Sequence, residues 1–168
     1  MGTNSWEAEP GKNVSFSIVC HPTTVKPAEQ FILSMMIAVA AVSELRQEFP
    51  DEADSFRAKW PNDIYWKERK LGGILIENAL KGGTLATCIL GIGININQET
   101  FLSDAPNPIS LRNITGKEED GLRLMRRISE RFCQKLQAMQ GLEYTPEKEL
   151  QTAQPGIAEH WNRLQAIQ

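Results

Sequence analysis

The sequence predicts an α+β protein in which a mixed, largely antiparallel sheet packs against helices. Several short apolar runs alternate with a period of two residues, as half-buried strands do. Two longer runs repeat their apolar residues every three or four positions, as helices do. The order along the chain is strand, long helix, several strands and then helices, which is typical of an α+β layered fold.

The first strand and the first helix are predicted at residues 13–20 and 28–49. The row NVSFSIVC alternates apolar and polar residues, and Pro27 stands at a good first position of a helix. The helix buries a face made of Phe31, Met35, Ala38, Val42, Leu45 and Phe49. Its longest apolar stretch, residues 31–42, is well short of the roughly 20 residues that span a bilayer. We therefore expect a core helix that ends near Pro50.

The remaining strands are predicted as hairpins. A short strand at residues 56–60 stops at Pro61, which cannot donate to a sheet ladder, and residues 64–66 resume it. The strongest strand runs are 71–79 and 85–96, joined by KGGT, whose glycine pair suits a tight turn. A surface helix at 122–139 has one apolar face, formed by Leu122, Met125, Ile128, Phe132 and Leu136. Two further helical pieces are predicted within residues 146–168.

Composition and charge exclude several classes of protein. The chain has 168 residues, 41% of them hydrophobic, and a net charge of −3, which fits a single soluble domain and does not favour nonspecific binding to nucleic acid. Cys20, Cys88 and Cys133 match neither a disulfide framework nor a metal motif, so a reducing, cytoplasmic location is expected. No metal site is predicted, because His21 and His160 lie far apart without paired ligands.

One segment stands out as a candidate binding site. Residues 59–63, KWPND, and residues 69–77, RKLGGILIE, bring two lysines, an amide and a carboxylate close together. Lysine offers charge-assisted hydrogen bonds to an anion, and glycines let the backbone approach a ligand closely. The same residues are also explained by a plain turn and a solvated strand edge, and spacing alone favours that simpler interpretation.

Two other patches are weaker candidates. Residues 91–97, GIGININ, could lie under a flat ring, with an asparagine amide forming hydrogen bonds to the edge of that ring. A bulged strand explains the same residues equally well. They lack the third glycine of a dinucleotide fingerprint. Trp6 could stack on a base, although packing on the sheet is the more common role of such a residue.

Taken in this order, KWPND, RKLGGILIE and GIGININ resemble the catalytic domain of biotin protein ligases, enzymes that attach biotin to a carrier lysine of biotin-dependent carboxylases. The resemblance extends from about residue 6 through the helix at 122–139. It implies the class II synthetase-like biotinyl/lipoyl ligase fold in incomplete form, with residues 1–168 as a single catalytic core.

The resemblance also implies a two-step reaction that uses ATP, biotin and Mg²⁺. Biotin carboxylate attacks the α-phosphate of ATP, and the amine of the carrier lysine then attacks the biotinyl-adenylate. By family position, Lys70 contacts the biotin carboxylate and the phosphate, and Asp63 receives the proton of the amine. The other implied contacts are Trp6 near the adenylate, Asn62 and Asn95 at the adenine, Lys59 at a phosphate, and Gly73 and Leu75 in the biotin pocket.

The sequence departs from the family pattern at both ends. A glycine- and arginine-rich loop before Trp6 and a small C-terminal SH3-like domain are not found, so a truncated core is expected. Two alternatives therefore remain: a non-catalytic remnant of the fold, or a lipoyl or octanoyl transferase relative. The expected partners are a biotin carboxyl carrier protein and a second copy of the chain, because exposed strand edges favour pairing. Binding to DNA or to a membrane is not expected.

Overall fold

The computed structural model describes residues 9–22, 24–102 and 107–141. Within these residues the elements are β1 (Val14–Cys20), α1 (Phe31–Glu48), β2 (Phe56–Lys59), β3 (Asp63–Trp66), β4 (Arg69–Lys81), β5 (Thr84–Ile94), α2 (Leu111–Thr115) and α3 (Gly121–Gly141). This arrangement confirms the α+β class predicted from the sequence.

In the described part of the chain, five strands form one sheet in the order β1-β5-β4-β3-β2, with every neighbouring pair antiparallel. The long β4–β5 hairpin closes at Gly82 and Gly83, both of which have positive φ angles. Glycine adopts this conformation without steric cost, which explains the turn predicted at KGGT. Among the described residues, one face of the sheet packs against α1 and α3, and the side chains of the other, outward face are more exposed.

Helix α1 is the central core helix. The stretch Pro27–Glu48 has a mean hydropathy of 1.5 and is long and apolar enough to cross a membrane, but 61% of its most apolar window is buried in the fold. Leu33, Ile37 and Leu45 are fully buried. These observations support the prediction of a core helix, which here begins at Phe31 after a short 3₁₀ turn at Pro27–Glu29.

A buried carboxylate joins the two long helices. Glu44 on α1 is only 3% exposed, and it accepts hydrogen bonds from Arg127 and Arg131 on α3. Burial alone would raise the pKa of Glu44, but the hydrogen bonds from Arg131 and Arg127 outweigh it and hold the pKa below its usual value. Glu48, one turn later, adds ion pairs with Arg123 and Arg127.

Several local predictions differ from the structure. The predicted apolar face of α3 is wrong at Leu122, which is 61% exposed, while Leu124 is buried with Ile128 and Phe132. Each three-residue step turns the helix about 60° short of a full turn, so two such steps put Leu122 about 120° around the helix from Ile128, whereas Leu124, four residues before Ile128, lies only about 40° away. The acidic residues after Pro50, expected to form a loop, lie in a 3₁₀ segment, Pro50–Ser55, and the short α2 was not predicted. The pieces predicted at 146–168 and Trp6 lie outside the described residues.

Candidate functional site

An ion pair on the outward face of the sheet marks the candidate site. Lys70 lies near the start of β4 and Asp63 begins β3, and the Lys70 Nζ lies 2.7 Å from the Asp63 Oδ1. Their side chains are 27% and 23% exposed, so the pair is partly buried but still reached by solvent. An arriving anion could replace Asp63 as the partner of the Lys70 ammonium group.

An irregularity between β3 and β4 makes this pairing possible. Asp63 is opposite Gly73, but the register shifts between Ile64 and Tyr65, so that Tyr65 is opposite Lys70. Lys70 and Gly73 are three residues apart and would face opposite sides of a regular strand. The register shift lets the Lys70 side chain reach the carboxylate of Asp63, which is opposite Gly73. A periodic interpretation of RKLGG from the sequence could not anticipate it.

A segment that is distant in sequence holds the Lys70 backbone in place. The Lys70 N–H donates to the Asn107 carbonyl at 2.9 Å, and the Ile109 N–H donates to the Lys70 carbonyl at 2.9 Å. The guanidinium group of Arg69 donates to the Pro108 carbonyl at 2.7 Å. Residues 107–109 therefore fix the start of β4 from outside the hairpin, a role that the sequence analysis missed because no local pattern signals it.

Asn95 lies beneath this segment. It is 5% exposed, and its side-chain Nδ2 donates to the Ile109 carbonyl at 3.0 Å. Its backbone N–H donates to the Leu71 carbonyl at 2.9 Å. Asn95 therefore connects the end of β5 to the segment that supports Lys70, whatever it contributes to ligand binding.

The predicted turn at residues 60–62 is tied to the same strand. Trp60 and Pro61 are joined by a cis peptide bond. The Asn62 Nδ2 donates to the Ile74 carbonyl at 2.9 Å, and the Ile74 N–H donates back to the Asn62 carbonyl at 2.7 Å. The Lys59 ammonium group lies 4.6 Å from the centroid of the Tyr65 ring. The turn is therefore held rigidly beside β4.

Small residues form a flat floor next to the ion pair. One cross-strand row on the outward face contains Ser15, Gly93, Gly73 and Asp63 in that order. The next row places Gly91 opposite Leu75, which is 65% exposed. Backbone left uncovered by glycines beside an exposed aliphatic side chain suits a flat ligand with an apolar chain.

A second concave region opens on the other side of Asp63. A small open cleft lies between α1 and the turn, and its lining residues include Phe31, Met35, Lys59, Asn62 and Asp63. The ring of Phe31 packs edge-on against Trp60 at a centroid distance of 4.2 Å. Nothing in the motifs pointed to Phe31 or Met35, because both fit an ordinary core helix.

The structure thus divides the predicted site residues into groups. Lys70, Asp63, Gly73 and Leu75 share the outward face, while Lys59 and Asn62 line the cleft together with Asp63. Asn95 is buried behind the segment beside Lys70. Among the described residues, no group of three His, Cys, Asp or Glu side chains is placed to hold a metal ion.

The model of the biotin/lipoate A/B protein ligase family matches residues 1–95, more than half of the chain. The chain belongs to this family. The match includes Lys59, Asp63, Lys70 and Gly73, and it ends at Asn95, the last residue of the predicted site.

Similar proteins agree with membership of the ligase family. The bifunctional ligase/repressor BirA of Salmonella typhimurium is 40% identical over 81 residues, covering 48% of this chain and 24% of that protein. BirA of Bacillus subtilis is 31% identical over 121 residues, covering 68% and 35%. The biotin protein ligase of Aquifex aeolicus in complex with biotin and ATP aligns with a TM-score of 0.62 and 26% identity, covering 76% and 51%. The chain therefore spans about a quarter to a third of the length of these two BirA proteins.

Proposed function

We propose that this chain is the catalytic core of a biotin protein ligase, which makes biotinyl-adenylate from biotin and ATP and transfers biotin to a lysine of a carrier protein. The observation that carries the proposal is the Lys70–Asp63 pair beside a glycine floor, in a chain of the biotin/lipoate ligase family. The similarity to a ligase solved with biotin and ATP supports these two substrates.

In the first step, Lys70 is proposed to bind the biotin carboxylate and the α-phosphate. A carboxylate oxygen attacks the α-phosphorus and pyrophosphate leaves, while negative charge builds on the oxygens around it. An ammonium group held at the start of the central strand β4 stabilises that charge without moving. Gly73 and Leu75 would then lie under the biotin, because they continue the same outward face.

Asp63 is proposed as the base of the second step. The amine of the carrier lysine attacks the acyl carbon, AMP leaves, and the amine proton passes to the Asp63 carboxylate. The ion pair with Lys70 places that carboxylate next to the group proposed to hold the acyl phosphate. Once Lys70 engages the substrate, Asp63 is free to accept the proton.

The nucleotide contacts are proposed at Asn62, which lines the cleft, and at Asn95, which lies behind residues 107–109. Asn62 and Asn95 each donate a side-chain N–H to a backbone carbonyl. Their side-chain oxygens would therefore accept a hydrogen bond from the adenine amine. Lys59 is proposed to contact a phosphate, and Trp6 to lie near the adenylate. Magnesium usually binds one or two carboxylates together with substrate phosphates, so we expect it to arrive with ATP.

The carrier is proposed to be a biotin carboxyl carrier protein or domain, and the location to be cytoplasmic. The family also includes lipoate ligases, so a lipoyl or octanoyl transferase is the second candidate function. A lack of turnover combined with tight adenylate binding would identify a non-catalytic remnant instead.

Isothermal titration with biotin, a nonhydrolysable biotinyl-adenylate analogue and the matching lipoyl analogue tests the proposal. We expect the biotinyl analogue to bind more tightly than the lipoyl one, and Lys70→Ala to weaken it by about 10- to 100-fold, since charge-assisted hydrogen bonds contribute roughly 1.5–3 kcal/mol. Lys67→Ala is the matched control, because Lys67 lies over Trp66 in the same hairpin, away from Asp63.

Three outcomes would decide between the functions. Tighter binding of the lipoyl analogue would favour the second candidate. No binding of either analogue by a folded chain would contradict both. Biotin-dependent release of AMP in the presence of carrier protein would show turnover and exclude the remnant.

A further inference from the structure

We propose that Cys20 and Cys88 form a dithiol that peroxide oxidises to an intramolecular disulfide between β1 and β5. The two residues are directly opposite each other in the antiparallel register. Opposite residues of such a pair share one face and have Cβ atoms about 4.5–5.5 Å apart. A disulfide spans about 3.5–4.5 Å between Cβ atoms, so only a small adjustment is needed.

The environment makes the two sulfur atoms unequal. A hydrogen bond from the Cys88 thiol lowers the pKa of Cys20; burial opposes that shift, and the neighbouring His21 adds to it. The same hydrogen bond, together with burial and the charge of Cys20, raises the pKa of Cys88. Cys20 is also the more exposed of the two, at 8% against 0% for Cys88. Because thiolates and not thiols react with peroxide, Cys20 is the attacking group and Cys88 the resolving one.

The surroundings favour a dithiol over a metal site. The next residue in the cross-strand row is Asn78 on β4; its Nδ2 donates to Gln30, while its buried Oδ1 has no partner among the described residues. His21 directs its ring Nδ1 to the Ala86 carbonyl at 2.8 Å. The described residues contain no group of three candidate metal ligands, so two opposed thiols are the reactive unit of this row.

The chemistry balances with hydrogen peroxide as the oxidant. The Cys20 thiolate attacks one peroxide oxygen, the O–O bond breaks, and the departing hydroxide takes up a proton, which leaves a sulfenic acid. The Cys88 sulfur then attacks the Cys20 sulfur, the S–O bond breaks, and water leaves with the proton of Cys88. Two thiols and one peroxide become one disulfide and two waters.

The disulfide would anchor an edge strand. Strand β1 is at the border of the described sheet and is hydrogen-bonded to β5. A covalent link between residues 20 and 88 closes a long loop and restricts the unfolded chain, which stabilises the folded state. The proposal is independent of the ligase activity, because neither cysteine belongs to the candidate site.

The experiment uses the full chain with Cys133→Ser, which removes the exposed third cysteine. The folded protein is treated with hydrogen peroxide, its remaining thiols are blocked under denaturing conditions, and intact mass and proteolytic peptides are measured. We expect both free thiols to disappear, the intact mass to fall by that of two hydrogen atoms, and a peptide that links Cys20 to Cys88 to appear. The Tm should rise by about 5 °C or more, and dithiothreitol should reverse the increase.

Single variants in the same background serve as controls. Cys88→Ser should accumulate sulfenic or sulfinic acid on Cys20, while Cys20→Ser should react slowly, and neither should gain thermal stability. Unreacted thiols in the folded chain, over-oxidation without the linked peptide, or a link only between two chains would each overturn the proposal. If a single variant fails to fold, the linked peptide in the Cys133→Ser chain still decides.

Discussion

At the scale of the residue, the Lys70–Asp63 pair illustrates what a motif can and cannot reveal. The residue types in KWPND and RKLGG make a candidate anion-binding site, because an ammonium group and exposed backbone suit that chemistry, although spacing alone favours a plain turn and a solvated strand edge. The 2.7 Å contact between the two side chains depends on a register shift that motif spacing does not encode. The roles of both residues in catalysis stay predictions.

Asp63→Asn should separate binding from transfer. An amide keeps the shape of Asp63 but cannot accept the proton of an attacking amine, so we expect single-turnover transfer to a carrier lysine to fall by about 10²–10⁴-fold. Binding of the biotinyl-adenylate analogue should be kept or strengthened, because Lys70 then lacks a competing carboxylate. Equal losses in binding and transfer would instead indicate that Asp63 only positions Lys70.

Gly72→Ala tests how tightly β4 approaches β5. A Cβ at Gly72 would lie 2.5 Å from the Gly93 carbonyl oxygen, which is backbone and cannot rotate away. We expect a loss of about 1–3 kcal/mol in unfolding free energy, measured by urea denaturation. Gly91→Ala is the control, because its nearest neighbour would be 3.5 Å away; a similar loss in both variants would contradict the steric explanation.

At the scale of the element, α1 and α3 are joined by a buried charge. Glu44 is enclosed between the helices and paired with Arg127 and Arg131. The apolar periodicity of each helix predicted that both have buried faces, but it gave no indication that a carboxylate lies between them. The identity of the partner helix is tertiary information, because α1 and α3 are separated by four strands.

Glu44→Gln should therefore destabilise the protein in a pH-dependent way. The pKa of Glu44 is lowered in the folded state, so its contribution is present above the usual value of 4.5 and is lost as the pH falls through the lower folded value. We expect a loss of about 2–4 kcal/mol at neutral pH, shrinking below pH 4.5. Glu48→Gln should cost less, because Glu48 is 25% exposed. A loss independent of pH would contradict the ion-pair explanation.

At the scale of the whole molecule, the described sheet has β1 and β2 at its two borders. Border strands present backbone groups that can pair with another chain. The sequence analysis predicted a homodimer on this ground, and the structure supplies the two candidate edges without testing the pairing.

We expect the chain to form a dimer at micromolar concentration, measured by light scattering across a dilution series. A proline at Ser17, in the middle of β1, should weaken dimerisation if β1 is the contact edge. The same substitution at Ala58 in β2 is the matched test of the other edge. A strict monomer at all concentrations would refute the prediction.

The sequence by itself determined the strands, the two long helices and the fold class. Alternating apolar residues specified β1 and the β4–β5 hairpin, and the glycine pair at residues 82–83 specified its turn, because these patterns depend on neighbours a few residues apart. The motifs also pointed to the family that the comparisons show.

The tertiary structure determined which residues of distant segments lie opposite each other. The approach of Lys70 to Asp63, the support of Lys70 by residues 107–109 and the opposition of Cys20 and Cys88 all arise from register between distant segments. A shift of one residue in a strand turns every side chain to the other face, and that choice is made by packing of the whole sheet on its helices. The chemistry of the site was therefore visible in the residue types, and its geometry only in the fold.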